Sequence, residues 1–150
     1  MGKKRSLTPL RGQRQGKSYR LGTAQFKGAH VTLDGGLRGL AVGYRHGASL
    51  YLDGPVGSNV GRKRGWLRCG RKLHAVGIRG AVNDQGLLRL GLLCAAKPRA
   101  NRKRVVLKHP PVLGEPGGKA FADRCPGRST LEGVIVYVDD GITGISAVCL

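Results

Sequence analysis

The sequence predicts an all-β or β-rich protein: a small barrel or a compact antiparallel sheet of five to seven short strands, with a basic N-terminal arm and long basic loops. Glycine accounts for 26 of the 150 residues. Because each glycine inside a helix costs about 1 kcal/mol relative to alanine, long helices are disfavoured. Short apolar runs end at Asp-Gly or His-Gly pairs, which are typical hairpin turns, and several runs alternate with the period of two that a half-buried strand requires.

The first element, residues 1–28, is predicted to be a basic extended arm. It contains no acidic residue and few aliphatic side chains, so we expect it to order only against a partner. The cations assigned to RNA in this arm are Lys3, Lys4, Arg5, Arg11, Arg14, Lys17, Arg20 and Lys27.

Residues 29–150 are predicted to form a single β-rich RNA-binding domain. It begins with a three-stranded meander, in which Asp34-Gly35-Gly36 and Arg45-His46-Gly47 separate the apolar runs 29–33, 37–44 and 48–52. A second basic block follows, and its predicted RNA-binding residues are Arg62, Lys63, Arg64, Arg68, Arg71 and Lys72. Trp66 inside this block has two interpretations: it anchors a small core, or it stacks on a base.

The central part of the chain is predicted to contain a strand pair, 73–82 and 87–94, joined by a turn at 83–86. A third basic block comes next, between prolines, as a loop with a short strand at 105–107. Its predicted RNA-binding residues are Lys97, Arg99, Arg102, Lys103 and Arg104. The glycine- and proline-rich stretch 114–128 is expected to be irregular.

The C-terminal stretch is predicted to be an acidic hairpin, with strands at 131–138 and 142–150 around the turn Asp139-Asp140-Gly141. Residues 129–150 contain no Lys or Arg. Two interpretations stay open: the hairpin closes the sheet and pairs with the basic arm, or it docks a neighbouring basic protein. No internal repeat is found.

Chemistry beyond binding finds little support in the sequence. The four His residues are scattered, and none has metal-ligand spacing with another His or a Cys. We therefore expect no catalytic residue, no metal, no cofactor, no small-molecule substrate and no enzyme activity. No run of about 18 apolar residues is present, so no membrane span is expected. The four cysteines are far apart and are expected to be reduced thiols.

Charge carries the functional prediction. The chain has 27 Lys and Arg against 8 Asp and Glu, a formal net charge of +19, which is typical of proteins that bind nucleic acid. Structured RNA is favoured because the common DNA-binding motifs and the aromatic RNP1 signature are missing from the sequence.

The composition resembles that of ribosomal proteins, although no stretch matches a named ribosomal family. The sequence therefore predicts a structural, rRNA-binding component of a cytoplasmic ribosome, or of an organellar one, with neighbouring ribosomal proteins as partners. The alternatives are a viral or phage capsid protein whose basic arm packages the genome, and a basic nuclear DNA- or RNA-binding protein.

Overall fold

The computed structural model describes residues 4–58, 60–96 and 110–150, and over these ranges the chain forms strands and turns. No helix in this described part is long and apolar enough to cross a membrane. The strands are β1 (Ser6–Leu7), β2 (Arg11–Gly12), β3 (Lys17–Leu21), β4 (Gln25–Leu33), β5 (Leu37–His46), β6 (Ser49–Gly57), β7 (Lys63–Leu67), β8 (Leu73–Asn83), β9 (Gly86–Ala96), β10 (Leu113–Gly114), β11 (Lys119–Arg124), β12 (Leu131–Asp139) and β13 (Gly141–Cys149).

The strands form three antiparallel sheets. Sheet I has the order β6-β5-β4-β7, sheet II the order β10-β9-β8-β11, and sheet III the order β1-β13-β12-β3, with β2 also paired to β13. Each sheet is built around one long hairpin: β4–β5 in sheet I, β8–β9 in sheet II and β12–β13 in sheet III. The predicted β-rich class is confirmed.

One hydrophobic core lies between the three sheets. Val31 of sheet I, Ile78 of sheet II and Val136 of sheet III are 0%, 1% and 0% exposed, and all three belong to one continuous cluster. Burying each such side chain stabilises the fold by about 1.5–3 kcal/mol. The sheets therefore enclose the core as the three sides of a prism, which replaces the predicted barrel or single sheet. A period-two pattern shows which face of a strand is buried, but not which sheet packs against it.

The predicted hairpins agree with the observed ones. The meander corresponds to β4, β5 and β6, the central pair to β8 and β9, and the C-terminal pair to β12 and β13. The stretch 114–128 is not irregular throughout, because β11 lies within it and pairs with β8. Phe121 on this strand belongs to the core, and its burial stabilises a strand for which the local sequence pattern is weak. The strand predicted at 105–107 lies outside the described residues.

The predicted basic arm is not confirmed, since three short strands within it belong to sheet III. β1 and β2 pair with β13, and β3 pairs with β12. Two buried carboxylates, Asp123 and Glu132, neutralise three of its cations. Arg11 donates to both carboxylate oxygens of Asp123, at 2.8 and 2.6 Å, and Arg5 and Arg20 both donate to Oε1 of Glu132. The segment is thus ordered by acids of its own domain.

The contact between Arg11 and Asp123 joins sheet III to sheet II. The hydrogen bonds that Arg11 donates to Asp123, supported by the negative charge of that carboxylate, hold the pKa of Arg11 above its ordinary value. The guanidinium therefore stays charged in the folded protein at all ordinary pH values.

The four cysteines form two disulfides, so the prediction of reduced thiols is wrong. Cys69, two residues after the end of β7 of sheet I, is bonded to Cys94 in β9 of sheet II. Cys125, directly after β11 of sheet II, is bonded to Cys149 in β13 of sheet III. Residues separated by 25 and 24 positions in sequence meet because their strands lie in adjacent sheets. Each disulfide therefore ties one side of the prism to the next.

Candidate binding site

Three hairpin turns come together at one end of the prism. They are residues 34–36 between β4 and β5, residues 83–86 between β8 and β9, and residues 139–141 between β12 and β13. Together with Gln15, which lies between β2 and β3, all of these residues except Asp34 line an open groove of about 420 Å³. Every sheet thus contributes its central hairpin turn to this groove.

Close contacts between backbones hold the three turns together. Each turn ends in a glycine with positive φ: 142° at Gly36, 135° at Gly86 and 112° at Gly141. Each glycine faces the carbonyl oxygen of the residue after the glycine of the next turn, and these contacts run in a circle through the three sheets. An ideal Cβ on Gly36 would lie 3.2 Å from the carbonyl oxygen of Leu87. The distance is 2.6 Å from Gly86 to the oxygen of Ile142, and 3.0 Å from Gly141 to the oxygen of Leu37. A side chain at these positions would push the turns apart.

This threefold arrangement corrects the statement that the chain has no internal repeat. The signal is short: Gly-Leu-Arg-Gly-Leu at 36–40 and Gly-Ile-Thr-Gly-Ile at 141–145 have the same pattern. The third copy, Gly-Leu-Leu-Arg-Leu-Gly at 86–91, has two additional residues between its glycines. Each copy follows a turn that contains Asp. The repetition of an Asp-containing turn before a glycine motif is the sequence pattern that indicates the three turns of the groove.

Carboxylates collect at this end of the molecule. Four of the eight acidic residues of the chain lie in the three turns: Asp34, Asp84, Asp139 and Asp140. All four are exposed. Within the described residues, the carboxylate of Asp84 has no hydrogen bond or ion pair. The groove is therefore locally acidic, although the protein as a whole is strongly basic.

Arg38 holds two of the turns in place. Its Nε donates to the carbonyl oxygen of Asp34 at 3.0 Å, and its Nη1 donates to the carbonyl oxygen of Asp140 at 2.7 Å. The carboxylate of Asp140 lies 3.7 Å from the same nitrogen and is fully exposed. Gln15 donates to the carboxylate of Asp139 at 3.1 Å. The backbone is thus fixed, while carboxylate oxygens point outward as hydrogen-bond acceptors for a ligand with several hydroxyl groups.

The predicted RNA-binding residues of the first block are spread over sheet III and its surroundings. Arg5, Arg11 and Arg20 are occupied by the two buried carboxylates. Lys17 lies 5.5 Å from the ring centre of Tyr19. Lys4 and Arg14 are exposed and have no ion pair within the described residues, and Lys3 lies outside them.

The second block lies mainly along the free edge of sheet I. Lys63, Arg64 and Arg68 are exposed on or directly after β7, and Lys27 lies on the neighbouring strand β4. Arg62 is 3.7 Å from the carboxylate of Asp34, and Arg71 and Lys72 are exposed in the turn before β8. The residues of the third block, Lys97, Arg99, Arg102, Lys103 and Arg104, lie outside the described residues. Among the described cations, the structure thus brings together Lys27 and Arg68 with Trp66, whereas Arg5, Arg11 and Arg20 of the first block contact the buried acids Glu132 and Asp123.

Trp66 is not a core anchor. Its side chain is 48% exposed on the outer face of sheet I, whereas the next residue, Leu67, points inward and is buried. The alternation along β7 places the indole on the solvent side.

The overall architecture is similar to that of plant lectins. No protein-family profile and no curated protein matches this sequence. Among solved structures, a mannose-binding lectin from Champedak has a TM-score of 0.76 at 11% identity, covering 100% of this chain and 99% of that one. A mannose-binding jacalin-related lectin from Ananas comosus has a TM-score of 0.75 at 12% identity, with 97% of both chains covered. The Calystegia sepium agglutinin has a TM-score of 0.74 at 13% identity, covering 100% of this chain and 99% of that one. At these identities the similarity shows the fold alone.

These neighbours overturn the function predicted from charge. The prediction of an rRNA-binding ribosomal protein is wrong, and so are the alternatives of a capsid protein and a nuclear nucleic-acid-binding protein. The predicted partners, RNA and ribosomal proteins, are wrong as well. The prediction that no small molecule is bound also conflicts with sugar-binding neighbours. The error has a physical reason: net charge sums all side chains, but it does not record that arginines pair with buried acids or that acids gather at one end.

Proposed function

We propose that this chain is a carbohydrate-binding protein that holds a sugar residue, without converting it, in the groove between the three hairpin turns. The observation that carries the proposal is the convergence of carboxylates on a groove whose backbone is held by Arg38 and by the circle of glycine contacts. The similarity of the whole chain to mannose-binding lectins supports it.

The chemistry of the groove suits a polyhydroxylated ligand. Each hydroxyl of a sugar can donate to a carboxylate oxygen, and hydrogen bonds to charged acceptors contribute about 1.5–3 kcal/mol each. Asp84 and Asp140 are the residues that we assign to this role, because both line the groove, and both carboxylates are exposed. A phosphate backbone would be repelled by the same carboxylates, which favours a neutral sugar such as mannose.

The test is isothermal titration calorimetry with mannose. The double variant Asp84→Asn/Asp140→Asn keeps the size of both side chains but removes their charges, and we expect it to bind mannose at least about tenfold more weakly. Glu115→Gln is the matched control, since Glu115 is an exposed carboxylate that does not line the groove. Equal mannose affinity of the double variant and the wild type, or no mannose binding by the wild type, would contradict the proposal.

For the location, we propose an oxidising compartment in place of a cytoplasmic ribosome. Both cysteine pairs are bonded in the fold, and disulfides persist in oxidising compartments but are rare in the cytosol. Maleimide labelling of the protein from its native cells, in denaturant and without reductant, is expected to modify none of the four cysteines, because the denaturant exposes Cys94, Cys125 and Cys149 and only their disulfides then protect them. Labelling of all four would place the protein in a reducing compartment.

A further inference from the structure

A second groove lies on the outer face of sheet I, and it shares no lining residue with the groove between the three turns. It has a volume of about 360 Å³, and its walls contain Trp66, Tyr51, Leu50 and Leu52. These four account for most of the large apolar side chains that are exposed in the described part of the chain; the other two are Leu7 and Val60. Exposed apolar groups that gather in one place mark a binding surface.

The floor of this groove has no side chains. Gly28 on β4 and Gly43 on β5 are directly paired across the sheet, and both line the groove. A Cβ on Gly43 would meet only backbone oxygens at 3.8 and 3.9 Å, so the depth at this point comes from a missing side chain and not from a close backbone contact. The indole of Trp66 is held by a ring contact, since His30 meets it edge-on at 5.0 Å. Tyr44 and Tyr51 pair across β5 and β6, and their rings stack at 5.5 Å.

The groove carries positive charge. Lys27 and Arg68 line it, and the guanidinium of Arg68 lies 5.3 Å from the ring centre of Trp66. Arg64 is on the same face of the edge strand, because the strand alternation places positions 64, 66 and 68 on one side. Within the described residues, no Asp or Glu lines this groove, and no ion pair neutralises these cations. The Cα atoms of Arg64 and Arg68 are about 13 Å apart along an extended strand, so an extended chain is needed to contact both.

We infer that this groove binds an anionic glycan: a chain whose sugar rings carry sulfate or carboxylate groups. Only a ligand with both an apolar face and negative charges satisfies the whole surface. The C–H face of a pyranose ring packs against the aromatic and aliphatic walls over the glycine floor, and its anionic groups pair with Arg68, Lys27 and Arg64. This inference rests on the proposed function, because it also takes the ligand to be a carbohydrate. It adds a second binding site and a second class of sugar to that function.

The test measures binding of a heparin-derived oligosaccharide by calorimetry at two salt concentrations. The desulfated oligosaccharide and an oligogalacturonate distinguish sulfate from carboxylate as the recognised anion. The key variant is Gly43→Val, because it fills the groove without changing any charge, and a β-branched residue is well tolerated in a strand. We expect a loss of at least about tenfold in affinity for Gly43→Val and for Trp66→Ala, as for the truncation of a central binding residue.

Charge variants separate specific recognition from general attraction. Arg68→Gln is expected to weaken binding by about fivefold or more, because it removes a charge-assisted contact. Arg14→Gln removes the same charge from an exposed arginine outside the groove, and we expect it to leave the affinity nearly unchanged. Equal losses for both arginine variants, with no effect of Gly43→Val, would overturn the inference in favour of attraction by net charge. Competition by single-stranded RNA at equal strength in the wild type would also overturn it, since the groove would then recognise the anion and not the sugar.

The two sites are distinguished by measuring mannose on the same proteins. Trp66→Ala and Gly43→Val are expected to keep wild-type mannose affinity, and Asp84→Asn/Asp140→Asn to keep affinity for the anionic glycan. A wild type that binds mannose but neither anionic oligosaccharide refutes this inference alone. One that binds the anionic oligosaccharide but not mannose supports the inference and refutes only the site proposed between the three turns.

Discussion

Gly86→Ala is the substitution that tests most directly how the three turns are held together. Gly86 has a φ of 135° and ends the turn of sheet II. The added methyl carbon would lie 2.6 Å from the carbonyl oxygen of Ile142 and 3.0 Å from the Cα of Thr143. Both neighbours are backbone atoms of the central hairpin of sheet III, so they cannot move without shifting the strand that they belong to.

Two costs add in this variant. A residue with a side chain that is held at a positive φ costs about 1–3 kcal/mol, and overpacking against a fixed neighbour costs about another 1–3 kcal/mol. A total loss of about 4 kcal/mol, with a urea m-value of about 2 kcal/mol per M, lowers the midpoint of unfolding by about 2 M. Equilibrium urea unfolding, followed by tryptophan fluorescence and by circular dichroism, measures this shift.

Gly35→Ala is the matched control for the backbone cost. Gly35 also has a positive φ, 68°, but nothing lies within 4 Å of its Cβ position. It should therefore lose only about 1–2 kcal/mol, the cost of a left-handed conformation. The contact distances predict that the destabilisation falls in the order Gly86, Gly141, Gly36. If Gly86→Ala is no less stable than Gly35→Ala, the close backbone contacts do not hold the turns together, and our account of the groove fails.

Two further predictions concern the links between sheets. Replacing both Cys69 and Cys94 with alanine opens a bridge with a sequence separation of 25, and we expect it to lower the free energy of unfolding in urea by about 3 kcal/mol. An unchanged midpoint would show that packing of the shared core alone keeps sheets I and II together. Arg11→Ala leaves the buried carboxylate of Asp123 without its partner, and because the Arg11 side chain is itself 38% exposed, we expect a loss of about 1–3 kcal/mol, less than for a fully buried pair. The loss should persist in 1 M salt, which screens exposed charges but not buried ones, whereas Arg14→Gln should leave the midpoint unchanged in both conditions.

Local sequence patterns were sufficient for the three central hairpins. The turns around Gly36, Gly86 and Gly141 divide apolar runs of strand length, and each pair of strands that such a turn joins is adjacent in the fold. Hairpins are predictable because the turn and both strands lie within about twenty residues, so sequence proximity and pairing coincide.

The short strands were harder to predict because distant parts of the chain stabilise them. β1 and β2 have two residues each and are held by β13, near the other end of the chain. Their basic composition is typical of a disordered arm, but the structure supplies the buried acids Asp123 and Glu132, which come more than 100 positions later. A local window of the sequence cannot reveal this charge balance, because the cations and the acids that pair with them lie more than 100 positions apart.

In the candidate sites, too, the sequence gives the residue types, and the tertiary structure decides which residues come together. In the sequence, Asp34, Asp84 and Asp140 are ordinary turn residues, since Asp is common in turns. Only the packing of three sheets brings their turns together, so that Asp84 and Asp140 line one groove. Trp66 had two interpretations in the sequence, and its exposure depends on the single fact that Leu67, and not Trp66, faces the core.

By itself, the sequence determined the β-rich class, the positions of the central hairpins and the excess of positive charge, because these follow from local periodicity, turn chemistry and a count of side chains. The tertiary structure alone decided that three sheets close into a prism, that the cysteines pair between sheets, and that acids and cations separate onto different surfaces. Those features arise from contacts between residues far apart in the chain. The free energy of such contacts depends on the distances and orientations between the sheets, which no local sequence pattern contains.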